Sequence, residues 1–425
     1  MVFRKLATLA LSFATLLLFA APAPAGSCRF SPLTQVSALG TFYGTVTDTV
    51  TGKELVSIRP TEPTPSASVL KILTGVAAVL HLPKGYRVST TVYTIDGFSN
   101  TIVLRGGGDP TLSRLLPPSY STYPKPARLP KLAEQVLAKL PADFKIRNII
   151  IDASAYDGVA YNPFWKSSDR TTGYVSPITS LAVDAGRMNP DLTDKKYSGT
   201  RVEDPVAQAA AVFKKALGVR GKNAFVEYKP VSYLNLRELT SIKSAPMELW
   251  VDHGMKYSDN SEVEYTARAV LARLGRKASF AEIEPMIKQT LDQLGVSSKG
   301  LVMKDASGLA QDNRVTARMI SSLLVEASKP SSPVSSFPQY LATPTSAGTL
   351  STRFKGANAL PKDAVLAKTG FIPGLYSLAG YVTAKDKRKL AFAFFARGGG
   401  VGGNTRSTLD SLVVRAYTCG AKLTE

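Results

Sequence analysis

The sequence predicts a mixed α/β (α+β) protein: a helix–sheet–helix domain, residues 26–82 plus 241–425, interrupted by a large mixed α/β insertion at residues 83–240. Three observations carry this. Val69, Leu70, Ile72, Leu73, Val76, Ala77 and Val79 form a nearly all-apolar run after Pro63 and Pro65, which reads as a buried helix with Ser68 in its first turn. Apolar strands at 364–367, 376–382 and 390–396 follow one another as an antiparallel meander, with a last helix from about 407 to 418. The chain, about 400 residues after its leader, exceeds one ordinary core.

Taken in order, Arg4 and Lys5, an apolar stretch from Leu6 to Ala20 and Ala23-Pro24-Ala25 make residues 1–25 a secretory signal. The stretch is short for a membrane span, and no other segment approaches that length. Val46 and Asp48 run through Thr51-Gly52-Lys53 to Val56 as a hairpin, and the Ser68 helix follows. The insertion reads as strands near 90–95, 100–104, 148–151 and 180–184, with helices near 129–140 and 206–217. A helical segment after Pro246 leads to a loop at Ser258 and then to more helices, with a loose linker at 331–336.

Two glycine runs mimic nucleotide loops. Residues 398–403 satisfy G-x-G-x-x-G, but no following parallel strand or acidic residue completes a dinucleotide unit; residues 106–110 lack the Gly-Lys-Ser/Thr of a phosphate loop. Both read as turns, and the sequence implies neither cofactor nor metal.

The chemistry lies in three short strings: Ser68-Val69-Leu70-Lys71, Ser258-Asp259-Asn260 and Lys368-Thr369-Gly370. Each alone is weak, because such strings arise by chance; their order and setting give them weight. A serine hydroxyl needs an adjacent base. The two histidines do not supply one: His81 ends the apolar helix as a C-terminal cap, His253 precedes Ser258 by five residues, and no G-x-S-x-G elbow occurs. Lys71 returns to the face of Ser68 one helical turn on, and burial beside the positive charge of Lys368 would lower its pKa enough for it to act as base. Asn260 is expected to hold Lys71 through its oxygen and the substrate carbonyl through its amide, and Ser258 to pass a proton to the leaving amine. Backbone N–H groups of Ser68 and Phe371 would meet the oxyanion, and Lys368 and Thr369, ahead of Gly370, the substrate carboxylate.

These strings, with Gly106-Gly107-Gly108-Asp109-Pro110-Thr111-Leu112, Asp305-Ala306-Ser307-Gly308-Leu309, Asn313-Arg314-Val315-Thr316 and Leu378-Ala379-Gly380-Tyr381, resemble the D-alanyl-D-alanine carboxypeptidase/endopeptidase family, the class C low-molecular-mass penicillin-binding proteins (peptidase family S13). The likeness spans nearly the whole mature chain and implies a β-lactamase/transpeptidase-like fold. It also implies cleavage of the D-Ala-D-Ala bond of peptidoglycan stem peptides, and of cross-links, through an acyl-enzyme that β-lactam antibiotics trap. Residue by residue it places the nucleophile on Ser68, the base on Lys71, proton relay on Ser258, substrate and lysine contacts on Asn260, and electrostatic and carboxylate contacts on Lys368 and Thr369. Two departures stand out. Relatives follow K-T-G with small hydroxyl residues, whereas Phe371-Ile372-Pro373 stands here, which favours a weak carboxypeptidase or a cross-link endopeptidase. The Lys71–Ser258 interval is also short, which implies a reduced or missing third subdomain.

The first strand and last helix of such a fold lie side by side, so Cys28 and Cys419 are expected to form a bridge, with lipidation of Cys28 or two free thiols as rivals. The net charge of +20 falls to about +18 with the leader. No nucleic-acid module accompanies it, so an anionic cell-wall polymer or membrane surface is the expected partner, outside the cytoplasm. Two other functions share some of these features. One is a β-lactamase, although no Glu-x-x-Leu-Asn string supplies a deacylating carboxylate; the other is a catalytically silent wall-binding protein.

Overall fold

The computed structural model describes residues 28–119, 121–190, 199–232 and 235–425, so the expected leader at 1–25 lies outside the described residues. Two five-stranded sheets organise the chain. The first joins β1 (Thr41–Asp48), β2 (Glu54–Ile58), β8 (Val365–Ile372), β9 (Leu375–Thr383) and β10 (Lys389–Arg397) in the order β2-β1-β10-β9-β8, all antiparallel. The second joins β3 (Ser89–Ile95), β4 (Phe98–Arg105), β5 (Asn148–Asp152), β6 (Phe225–Tyr228) and β7 (Leu236–Lys243) in the order β6-β5-β4-β3-β7, with β4–β5 and β5–β6 parallel.

Eight helices longer than ten residues occur among the described residues: α1 (Lys71–His81), α2 (Leu129–Lys139), α3 (Pro205–Ala216), α4 (Met247–Tyr257), α5 (Asn260–Arg273), α6 (Ile283–Gln293), α7 (Ala317–Ser328) and α8 (Thr405–Cys419). The first sheet is sandwiched between helices, and β10 shows why. Its run from Leu390 to Ala396 is apolar throughout because both its faces are covered. Phe392 and Phe394 pack with Leu409, Leu412 and Val413 of α8, whereas Ala391, Ala393 and Phe395 join the core around α1 and α7. The second sheet buries Val92, Ile102, Leu104, Ile149 and Ile151 against α2 and α3. Cys28 and Cys419 are bridged with Cα atoms 5.6 Å apart, next to hydrogen bonds between Cys28 or Phe30 and Thr424.

Four expectations are corrected. Residues 180–184 are buried but are not a strand: Asp184 and Ala185 have φ of +50° and +47°, and their N–H groups donate to the Leu112 and Pro110 carbonyls instead of a ladder. β6 and β7 were not foreseen. They are the two edges of the second sheet, and their mixed polar residues show no clear alternation; β7 pairs with β3 as far as Lys243, beyond residue 240. Residues 331–336 are not a loose linker but a series of turns in which Val334 is fully buried. Finally, His81 does not cap its helix; its Nε2 meets Thr290 Oγ1 of α6 at 2.9 Å, so it fastens one helix to another.

Candidate active site

α1 is apolar on all sides and buried, so the one charge it carries, Lys71, needs internal partners. A 3₁₀ turn, Ala67–Leu70, feeds into it, and Ala67 adopts φ +46°, a left-handed conformation that L residues avoid. The turn sets Ser68 one step ahead of Lys71, half-buried, and Lys71 Nζ donates to Ser68 Oγ at 2.9 Å, Asn260 Oδ1 at 2.6 Å and the Ser307 carbonyl at 2.6 Å. All three ammonium protons thus have acceptors.

Each acceptor is itself fixed. Asn260 starts α5, and its Nδ2 donates to the Tyr174 carbonyl at 3.0 Å, which leaves one of its two amide protons to face a ligand. Asp259 caps α5 by accepting from Glu262 N at 3.0 Å, and its other oxygen takes Tyr123 Oη at 3.1 Å and Arg187 at 3.3 Å. Burial works against its charge, but Arg187, Arg201, the Glu262 N–H and His253 outweigh it and hold its pKa at about 2. The Ser307 carbonyl is aimed by a tight loop. Asp305 accepts from the N–H groups of Gly308 and Ala310, from Asn313 Nδ2 and from Trp165 Nε1, while Glu264 accepts from Ala306 N and Ser307 N. Gly308, at φ +83°, lies so close to α1's lead-in turn that a Cβ there would come within 2.0 Å of the Ala67 carbonyl. Thr74, one turn beyond Lys71, donates to the Ala306 carbonyl at 2.8 Å.

Burial pushes the Lys71 ammonium down to about 8, against the carboxylates of Asp305, Glu264 and Asp259, which favour its charge. Lys368 is as deeply buried. Desolvation, and then the charge of Lys71, hold its pKa well below the ordinary value, and its Nζ donates to the Thr369 carbonyl at 2.9 Å. Burial is the larger cause in both lysines, and the repulsion between their charges, felt by both, works in the same direction.

On β8, residues alternate between the two faces of the sheet. Lys368 and Gly370 turn toward Ser68, and a Cβ on Gly370 would meet Ser68 N at 3.0 Å and Ser377 Oγ at 2.2 Å. Only glycine lets the strand backbone lie against the turn. Ser377 Oγ ties β9 to the same turn by donating to the Ser66 carbonyl at 2.6 Å. Thr369 and Phe371 face the other way, and Thr369 Oγ1 donates to Thr349 Oγ1 at 2.7 Å, whose N–H is held by the Lys256 carbonyl of α4 at 2.9 Å. Phe371 is half exposed, its ring 4.7 Å from that of Tyr376.

The structure thus joins Ser68, Lys71 and Asn260 by direct hydrogen bonds and sets Gly370 against Ser68. Ser258 stands at the α4–α5 junction with φ +62°, half-buried, and its hydroxyl bonds none of the other candidates among the described residues. Sequence reasoning missed Ser307, Glu264, Tyr174 and Thr349 as supports. The Asp305–Leu309 string was the one available signal, for it stood out without a role.

A buried lysine bonded to a half-buried serine at the head of a helix, packed against a sheet with helices on both faces, defines a serine hydrolase of the acyl-transferring kind. A family model described as the D-Ala-D-Ala carboxypeptidase 3 (S13) family matches residues 31–200 and 193–416, and the chain belongs to that family. It is 33% identical over 386 residues to carboxypeptidase DacB of Mycolicibacterium smegmatis, covering 90% of this chain and 82% of that one. Among solved structures it resembles penicillin binding protein 4 (dacB) of Haemophilus influenzae, with TM-score 0.76, 21% identity and coverage of 93% of this chain and 99% of that one; that protein has also been solved complexed with a novel β-lactam. The peptidoglycan endopeptidase Bd3459 of Bdellovibrio bacteriovorus matches in fold with TM-score 0.54, 17% identity and coverage of 88% and 91%. The chain is a serine enzyme of D-Ala-D-Ala carboxypeptidase type.

Proposed function

We propose that the chain cleaves the D-Ala-D-Ala bond of peptidoglycan stem peptides, and the D-alanyl amide of cross-links, through an ester on Ser68. The observation that carries this is the 2.9 Å hydrogen bond from buried Lys71 Nζ to Ser68 Oγ. With its pKa near 8, Lys71 is partly neutral at neutral pH and accepts the Ser68 proton as Oγ bonds the carbonyl carbon. The oxyanion meets the N–H groups of Ser68 and Phe371, whose strand and turn the absence of a Cβ at Gly370 brings together. The C–N bond breaks, Ser258 passes a proton to the leaving amine, and water then hydrolyses the ester. Asn260 holds Lys71 and the substrate carbonyl, while Lys368 and Thr369 take the substrate's carboxylate.

In this reading residues 83–240 are an inserted domain that lends Tyr174 and Arg187 to the catalytic part, residues 26–82 plus 241–425. The signal at 1–25 sends the enzyme out of the cytoplasm, and the strongly positive charge, about +18 without the leader, draws it to anionic wall polymer or membrane surface. High salt should then release it from envelopes.

β-Lactams would acylate the same serine, so the test is intact mass after a penicillin, followed over hours, with Ser68→Ala alongside. A persistent single adduct lost in the variant supports the reading. Brief acylation with the drug consumed would mean a β-lactamase, and no adduct would mean a silent wall-binding protein.

A further inference from the structure

The start of α5 shows what residues 83–240 do for the reaction. Three consecutive residues there are each met from that stretch. Arg187 and Tyr123 reach the Asp259 carboxylate, the Tyr174 carbonyl accepts from Asn260 Nδ2 at 3.0 Å, and the Ser176 N–H donates to Ser261 Oγ at 3.0 Å. The same stretch also braces the opposite side of Lys71. Trp165 Nε1 donates to Asp305 Oδ2 at 2.8 Å and Asn162 Nδ2 to the Lys304 carbonyl at 2.6 Å, at the base of the loop that aims the Ser307 carbonyl. Of the acceptors around Lys71 Nζ, Asn260 Oδ1 and the Ser307 carbonyl are thus both steadied from outside the segments that carry them.

These ties converge on Arg187, which is buried at the junction. Its Nη2 donates to Asp259 Oδ2 at 3.3 Å and its Nη1 to Tyr123 Oη at 3.1 Å, while Tyr123 Oη donates to the same carboxylate oxygen at 3.1 Å. The planar fork of a guanidinium suits this closed triangle, and the point charge of a lysine does not. The base of the side chain is fixed as well: the Arg187 N–H donates to the Asp184 carbonyl at 3.1 Å, and its carbonyl accepts from Gln208 Nε2 at 2.9 Å. Arg201, also buried, clamps the segment that leads to it by donating to the carbonyls of Gly173 at 3.2 Å and Ala185 at 2.8 Å, next to the Tyr174 carbonyl that holds Asn260. Without the Arg187 guanidinium, Asp259 would be a buried carboxylate stripped of its ion pair. The first turn of α5 would shift to relieve it and carry Asn260 Oδ1 away from Lys71 Nζ.

We infer that Arg187 is a positioning residue for acylation: by holding Asp259 it fixes Asn260, and Asn260 keeps Lys71 Nζ in place against Ser68 Oγ. This rests on the function proposed above. Arg187 stands behind Asp259 and Asn260 and acts on the reacting atoms through them. Residues 83–240 thereby serve the reaction as a frame for its base.

The test is a double-mutant cycle on the rate of penicillin acylation, using the full chain as wild type, Arg187→Met, Asn260→Ala and the pair. Arg187→Met alone should slow acylation by about thirtyfold, the scale of a small displacement of a catalytic group. With Asn260→Ala already present, the same change should cost less than about threefold, because the residue through which Arg187 acts is gone. Arg187→Lys, which keeps the charge but not the fork, should recover part of the rate. Arg105→Met serves as the control, since it breaks a buried ion pair with Asp152 in the second sheet. It should lower the unfolding midpoint and leave acylation within about twofold of wild type. No loss in Arg187→Met, the same loss with and without Asn260, or an equal loss in Arg105→Met would overturn the positioning role. Should Arg187→Met fail to fold, Tyr123→Phe takes its place in the cycle, with an expected loss of about fivefold that again vanishes without Asn260. A penicillin adduct on wild-type Ser68 with additive losses sinks the positioning role only, whereas absence of that adduct sinks the underlying reading.

Discussion

The α1 side of the cleft, around Lys71, and the β8 side, around Lys368 and Phe371, bury their lysines equally but support them differently. Lys71 donates to three oxygens from three separate segments, and two of those segments are braced by Asp305, Glu264 and Asp259, each buried and multiply bonded. Lys368 donates to one, the carbonyl of its own neighbour, and Phe371 beyond it is open to solvent. Buried charge is tolerated only when its partners are fixed, so the α1 side is suited to unvarying proton transfer. The β8 side, with fewer commitments, is where recognition has room to change.

The largest expected effect tests that contrast directly. Lys71→Met should slow penicillin acylation by about a thousandfold, or about 4 kcal/mol, because it removes the base while keeping the volume. Lys368→Met should cost less, and stopped-flow rates that put the two in the opposite order would break the comparison. Next, Asp305→Ala leaves the N–H groups of Gly308 and Ala310, Asn313 Nδ2 and Trp165 Nε1 without their acceptor. A loss of about 3 kcal/mol in urea unfolding is expected, and a loss below about 1 kcal/mol would show the loop to be held by other means.

The pH profile sharpens the same point. Acylation needs neutral Lys71, so its rate should rise about tenfold per pH unit at low pH and level off above about 8. The Glu264 carboxylate favours the ammonium, so Glu264→Gln should move the midpoint to lower pH; a midpoint that stayed or rose would show that Glu264 does not hold the Lys71 charge. Smallest is Thr349→Val, which deletes the one hydroxyl that meets Thr369 Oγ1. A rise of a few-fold in peptide KM with kcat unchanged is expected, in line with one hydrogen bond of about 1 kcal/mol.

Local pattern alone was enough for part of this molecule. An apolar run, unbroken in β10 and nearly so in α1, marked two elements that are covered over most of their surface, and serine and lysine one turn apart on a helix are neighbours whatever surrounds them. Tertiary structure decided the rest. The edges β6 and β7 take their form from β5 and β3, not from their own residues, and residues 180–184 look like a strand until the Leu112 and Pro110 carbonyls claim the N–H groups of Asp184 and its neighbour Ala185. Lys71 finds Asn260 and the Ser307 carbonyl 189 and 236 positions away, and its pKa follows from the burial those contacts complete. Periodicity reports which side of an element is covered, but not which distant groups cover it, and a proton's affinity depends on those groups.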